Sequence, residues 1–351
     1  MDRQPTVFVW MSGGVDSSVS ALLLKEQGHK VIGVYMKNWS RDLPGMKCPW
    51  AEDLADAKRI AVKLGIPFEV WDFEKEYREK VVEYMLLEFK KGHTPNPDIM
   101  CNQEIKFKLF YEKAMERGAD FIATGHYARV GSKAELMRAV DENKDQTYFL
   151  YRISSESLAH TIFPIGEMKK PEVKKLAEEK GLHNAYKKES MGVCFVGEVG
   201  MKDFLKEYIE VRPGEIRRIE DEKILGYHEG AIFYTIGQRH GLYIDGVKGE
   251  VNNGLPYYVV KKDLDKNIVY VSKNLNDENL WVLELELKDI IIRGNATPSK
   301  VLVRLRHRAP LIPAEFDGKK LRFAEKIKRP ASGQSAVIYD DEICLGGGII
   351  I

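Results

Sequence analysis

The first strand, the glycines behind it and the helix after them constrain this chain more than any other feature. "TVFVWM" (Thr6–Met11) is a short, unbroken apolar run of the kind a strand buried on both faces requires. It passes directly into "SGGVDSS" (Ser12–Ser18), and "SSVSALLLKEQG" then carries a helical pattern to a stop at Gly28. Gly13 and Gly14 permit left-handed or closely approached backbone, so consecutive amides can point at one anion. Ser12, Ser17 and Ser18 add hydroxyl donors, and the helix N-terminus adds partial positive charge. Asp16 would repel a bare phosphate, so it is expected to meet magnesium or to cap the helix. Neither GxxxxGK followed by Ser or Thr, nor GxGxxG, occurs in the chain, which disfavours P-loop kinases and dinucleotide enzymes.

The alternation continues beyond this unit. "KVIGVYM", "PFEVWDF" and "DFIATGH" read as strands; "EDLADAKRIAVKLG", a stretch from about Glu74 to Lys91 and another from Asn102 to Gly118 read as helices. Strands alternating with helices imply a parallel sheet covered on both faces, with ligands at the carboxyl ends of its strands. "MSGGVDSS", Tyr35–Met36 and "GHYAR" should therefore converge on one crevice. From about Asp203 short strands and glycines take over, and from about Val271 patterns such as "VLVRLRHR" read as all-β. The expected division is an α/β domain at 1–202, a small mixed domain at 203–270 and a C-terminal β-barrel at 271–351.

Charge and cysteine usage narrow the function classes. With 54 basic and 53 acidic side chains the net charge is +1, which excludes a uniformly basic nucleic-acid binder but not a basic patch. Between Lys300 and Arg329 stand ten lysines and arginines against three acids, and "VLVRLRHR" suggests one basic face on a strand. No apolar run is long enough to cross a membrane, and no secretory signal is expected. Cys48, Cys101, Cys194 and Cys344 are scattered without a CxxC pair, so neither a disulfide scaffold nor a zinc site is expected, and the cytoplasm is the natural home. Cys101 nonetheless has an unusual place. It comes after "HTPNPDIM", where Pro95 and Pro97 stiffen a loop, and it should open a helix whose N-terminus favours thiolate. Asp98 either caps that helix or serves as a general acid/base.

SGGxDSS after a first strand resembles the pyrophosphate-loop signature of the N-type ATP pyrophosphatases, which cleave ATP between the α- and β-phosphates and adenylate a carbonyl oxygen. "HTPNPDIMCNQEIKF", "ATGHYAR", "KDQTYFLY", "GVCFVG", "YTIGQRHGL" and "SGQSAVIYDDEICLGGGII" extend the likeness over essentially the whole chain. Together they resemble the tRNA-specific 2-thiouridylase family. That resemblance implies ATP, with Mg²⁺, as a substrate held by Trp10, Met11, Ser12, Gly13, Gly14, Val15, Asp16, Ser17, Met36 and Gly125. It implies Asn96, Pro97 and Asp98 against the target base. Contacts to tRNA would come from His126, Lys144, Asp145 and Gln146, and from Arg306, His307 and Gln334. It casts Cys194 as persulfide carrier and Cys101 as the nucleophile that resolves it, through a transient Cys101–Cys194 disulfide; Cys48 and Cys344 are read as structural. Partners implied are the glutamate, lysine and glutamine tRNAs and a cysteine desulfurase or sulfur-relay protein. Trp10 and Met191 depart from the residues usual there, and Trp10 would narrow the site if its ring faces the nucleotide. The segment from Asn184 to Met201 is expected to order on tRNA binding. An adenylating amidotransferase or ligase on the same fold, or a non-catalytic RNA-binding module, are the competing readings.

Overall fold

The computed structural model describes residues 3–42, 48–188, 200–244, 255–294 and 298–351. Its first sheet is parallel and runs in the order β3-β2-β1-β4-β7, from β1 (Thr6–Trp10), β2 (Lys30–Lys37), β3 (Phe68–Asp72), β4 (Phe121–Ala123) and β7 (Thr161–Ile162). Val7 and Val9 face a core shared with α1 (Val15–Glu26) and α2 (Trp50–Leu64), while Phe8 faces a second core with Val34, Trp71 and Phe110. Both faces of β1 are covered, which is why its sequence is apolar without alternation. The chain adds β2 and β3 on one side of β1 and then crosses to place β4 on the other. The order therefore reverses between β1 and β4, and a crevice opens beyond their carboxyl ends.

The stretch read from sequence as one helix from Asn102 is a π-helix over Cys101–Leu109, preceded by the short helix Pro97–Met100 and followed by Phe110–Glu116. Arg78–Val82 is also a π-helix, inside the stretch Glu74–Lys90. Wide turns of this kind are rare and recur at functional sites.

The central sheet has the order β10-β11-β8-β9, from β8 (Gly214–Arg218), β9 (Ile224–His228), β10 (Tyr258–Asp263) and β11 (Ile268–Ser272). Six antiparallel strands come next: β12 (Trp281–Ile292), β13 (Lys300–Arg304), β14 (Ile312–Phe316), β15 (Lys320–Lys328), β16 (Ser335–Asp340) and β17 (Ile343–Ile350). They run β12-β15-β14-β13-β16-β17, and β12 pairs with β17 to close a barrel. A hairpin of the first domain, β5 (Arg129–Val130) and β6 (Leu136–Met137), joins the barrel through Met137 opposite Ile343.

The expected basic strand face takes a different form. β13 ends at Arg304, which is buried, and Arg306, His307 and Arg308 lie on the turn beyond it. Lys319, Lys320 and Arg322 are paired with Glu286, Glu284 and Asp317. The Arg304 guanidinium instead meets Asp145 of the first domain at 2.6 Å, and the Thr147 hydroxyl donates to the same carboxylate at 2.9 Å. Asp145 is 1% exposed, so this pair joins the barrel to the first domain away from solvent. Removing one partner of such a pair leaves an uncompensated buried charge. Arg304→Met is therefore expected to cost about 3–5 kcal/mol, read as a lower urea midpoint; an unshifted midpoint would show that the pair carries no stability.

Candidate active site

A cavity of about 640 Å³ occupies the switch point. Its first wall is the turn after β1. The Ser17 hydroxyl accepts from the Ser12 amide at 3.2 Å and donates to the Gly14 carbonyl at 3.0 Å, and the Ser18 hydroxyl donates to the same carbonyl at 2.9 Å. Both hydroxyls are thus engaged in shaping the loop rather than turned towards an anion, a change from the sequence expectation. Gly13 has φ +78°, and a Cβ there would lie 2.4 Å from the Asp53 carbonyl oxygen, so α2 closes the loop from behind. Asn184 braces it from the other side, donating to the Gly13 carbonyl and the Ser18 hydroxyl, each at 2.9 Å. Across the crevice, a Cβ on Gly125 would stand 2.6 Å from the Ser17 nitrogen. Only glycine permits this approach of the β4 loop to the start of α1.

Asp16 neither caps α1 nor stands open to a metal. Its oxygens take Lys170 Nζ at 2.7 and 2.8 Å, and Tyr127 donates its hydroxyl to one of them at 3.0 Å. Among the described residues no group of three His, Cys, Asp or Glu side chains is disposed to hold a metal ion.

The opposite wall is the proline loop. Asn96 caps the helix Pro97–Met100, its Oδ1 accepting from the Asp98 amide at 3.1 Å. The cap is Asn96, which leaves the Asp98 carboxyl facing the cavity. Burial raises the pKa of that carboxyl, and the nearby Lys106 ammonium acts against the rise. Cys101 is buried at the cavity wall, but the helix opens at Pro97, so the thiol sits one turn in rather than at the helix N-terminus. The cation on this wall is Lys106, whose Nζ rests 4.2 Å from the centre of the Trp10 ring.

His126 forms the floor. Its Nδ1 pairs with the Thr124 hydroxyl at 2.8 Å, and its ring lies among Trp10, Phe107 and Phe163. Burial first, and Lys106 second, hold the imidazole well below its usual range, so it is neutral near pH 7. At the rim stand Lys144, Gln146, His307 and Arg308. Gln146 accepts from the Tyr127 amide at 2.8 Å. His307 lies on Phe149 with ring centres 4.6 Å apart, and burial, then Arg308, push it down to about 4. Arg308 adopts φ +63°, a strained conformation for a side-chain-bearing residue.

Of the residues singled out from sequence, Trp10, Ser12, Gly14, Val15, Asp16 and Ser17 line the cavity. So do Met36, Gly125, Asp98, Cys101, His126, Lys144, Gln146 and His307. Met11 packs in the core, and Gly13 supports the loop from below. Asn96 and Pro97 stand behind Asp98, Arg306 is exposed beyond the rim, and Asp145 is the buried partner of Arg304. Gln334 donates to the Thr94 carbonyl at 2.6 Å, holding the proline loop to the barrel. Cys194, Met191 and the segment 189–199 lie outside the described residues. The chain just before that segment is anchored: Lys187 pairs with Asp53 at 2.8 Å and Asp56 at 2.6 Å. Cys48 shares the cavity, its thiol pushed up by burial. Sequence reasoning missed Lys106, Lys170 and Asn184. The only available signal was Lys106 five residues after Cys101, and that spacing becomes informative only in a π-helix.

A parallel sheet with a glycine–serine loop at its switch point, continued into a mixed sheet and a closed barrel, defines an α/β nucleotide-handling class with two appended β-rich domains. Family models match in the same order: one described as a tRNA methyl transferase HUP domain at residues 5–198, its PRC-barrel domain at 202–273, and an aminomethyltransferase beta-barrel domain at 283–350. A tRNA-specific 2-thiouridylase of Listeria monocytogenes serotype 4a is 47% identical over 98% of this chain and 94% of its own. One from Bacillus subtilis strain 168 is 44% identical over 100% of this chain and 96% of its own. The chain belongs to the tRNA-specific 2-thiouridylase family. Among solved structures, a 4-thiouridine synthetase–RNA complex with bound ATP matches at 22% identity with TM-score 0.35, over 53% of this chain and 43% of that one.

The Gly125 contact generates a direct test. Gly125→Ala is expected to cost about 1–3 kcal/mol by overpacking and to weaken ATP binding in titration calorimetry. Wild-type stability together with wild-type affinity would mean that the contact yields without consequence.

Proposed function

We propose that this protein is an ATP-dependent sulfurtransferase that makes 2-thiouridine at the wobble position of tRNA. The observation that carries the reading is one cavity onto which the anion-binding loop, Asp98 and Cys101 all open. The 2-oxygen of uridine is a poor leaving group within a urea-like carbonyl. Adenylation by ATP converts it to a phosphoester, with pyrophosphate leaving into the amides and helix N-terminus of the Ser12–Ser17 turn. Asp98, its pKa raised, is the acid/base that handles the proton at the base edge. Cys194 carries the persulfide. Attack by the Cys101 thiolate on its inner sulfur forms the Cys101–Cys194 disulfide and frees the outer sulfur for the base, from which AMP departs.

The remaining assignments rest on the same reading. Magnesium arrives on ATP and is held by its phosphates, because the oxygens of Asp16 are engaged by Lys170. Lys144, Gln146 and His307 on the rim, with exposed Arg306 beyond it, meet the anticodon loop, where an unstacked base reaches a pocket at low cost. The substrates are the glutamate, lysine and glutamine tRNAs, and the sulfur comes from a cysteine desulfurase or relay protein in the cytoplasm. No helix among the described residues is long and apolar enough to cross a membrane. The matched family models speak of methyl transfer and the relatives' name of thiolation. A phosphate loop opposite a buried thiol favours thiolation, since methyl transfer requires neither.

Thiolation of unmodified glutamate tRNA, read on a mercury-containing gel, tests the reading. Wild type should shift the tRNA, while Cys101→Ser and Cys194→Ser should release pyrophosphate without a shift; activity surviving Cys194→Ser would leave an adenylating ligase instead. The pH profile tests Lys106. Its ammonium opposes the rise in the Asp98 pKa, so Lys106→Met should move the acid limb of the rate to higher pH. A limb that stays in place would separate Lys106 from the reaction.

A further inference from the structure

A second cavity, of about 290 Å³, lies where the catalytic domain, the central sheet and the barrel meet. Three cations line it and no carboxylate does. Lys262, on β10, donates to the Gly92 carbonyl at 2.9 Å, which occupies one of its three protons. With no acid beside it, burial pushes the ammonium down to about 8. Arg329 uses Nε on the Asn279 carbonyl at 2.8 Å, and its terminal nitrogens meet no partner among the described residues. The hydroxyls of Thr94 and Thr235 stand 3.3 Å apart at the same place, and the Ser332 carbonyl accepts from the Thr94 amide at 2.8 Å. Each domain therefore contributes a cation or a hydroxyl. A structural role for Lys262, closing the helix end at Gly92, accounts for one hydrogen bond but not for the unopposed charge beside Arg329.

We propose that this junction binds a phosphate group, a backbone phosphodiester of the RNA substrate, between Lys262 and Arg329 and the hydroxyls of Thr94, Thr235 and Ser332. The proposal rests on the RNA reading above. It gives "YTIGQRHGL" a role through Thr235, which lines this cavity. Thr94 leads within two residues to Asn96, so a phosphate seated here would touch the root of the loop that carries Asp98. RNA is favoured over free phosphate because the site is a cleft shared by three domains rather than an extension of the nucleotide cavity.

The test is amine labelling of the full-length protein at pH 8 with an acetylating reagent, with Lys262 quantified by peptide mass spectrometry against exposed Lys133. Unmodified glutamate tRNA should lower Lys262 labelling severalfold, and Arg329→Met should reduce the salt slope of tRNA binding by about one contact. Millimolar inorganic phosphate is the second arm. Protection by both ligands supports a phosphate site open to either source, and protection by tRNA alone supports the RNA backbone. Protection by phosphate alone overturns the RNA assignment, and protection by neither overturns the site. Thiolation by wild type runs beside these measurements: failure there with Lys262 still protected would unseat the reaction and not the site.

Discussion

The site depends on a contact at which no side chain stands. Gly125 brings the backbone after β4 against the backbone of Asp16 and Ser17. The parallel pairing of Val9 with Ala123 fixes the two strand ends side by side, and the missing Cβ lets the loops beyond those ends close to contact distance. From that closure come the position of His126 on the floor and of Tyr127 over Asp16. The turn itself is held in shape by its own hydroxyls, by Asn184 and by α2.

The opposite wall is held largely from outside its own domain. Thr94, at the root of the proline loop, gives its amide to Ser332 and takes the Gln334 carboxamide on its carbonyl. Gly333, at φ +89°, lets the barrel turn pass within contact of His93 and Thr94. The buried Arg304–Asp145 pair and the hairpin docked at Ile343 add two further ties. The barrel is thus a structural clamp on the loop that presents Asp98, in addition to any surface it offers a partner.

The architecture was legible because its signals are local: unbroken apolar runs for strands covered on both faces, glycines at the turn, and alternation in the C-terminal strands. The glycine–serine turn after β1 was legible for the same reason. What escaped depends on partners distant in sequence. Asp145, expected from the resemblance as a tRNA contact, is bonded instead to Arg304, 159 residues later. Asp16 reads as a metal ligand or cap until Lys170, 154 residues away, takes both oxygens. The alternating basic residues of "VLVRLRHR" predicted a charged strand face, but the strand stops at Arg304 and the pattern continues into a turn. Whether a charge faces solvent or a buried partner is a tertiary fact, and periodicity is silent on it.

The π-helix Cys101–Leu109 gives the distance between Cys101 and Lys106 a meaning that an α-helix would withhold. In an α-helix, residues five apart point about 140° away from each other. With i to i+5 hydrogen bonding the wider turn brings them round towards the same face. Both therefore reach the same cavity wall, and the spacing works as a length standard written into the backbone. Deleting any one residue between them would leave the pair four apart, a spacing that an ordinary α-helix also keeps on one face. The wide turn is what lets the longer spacing serve the same wall.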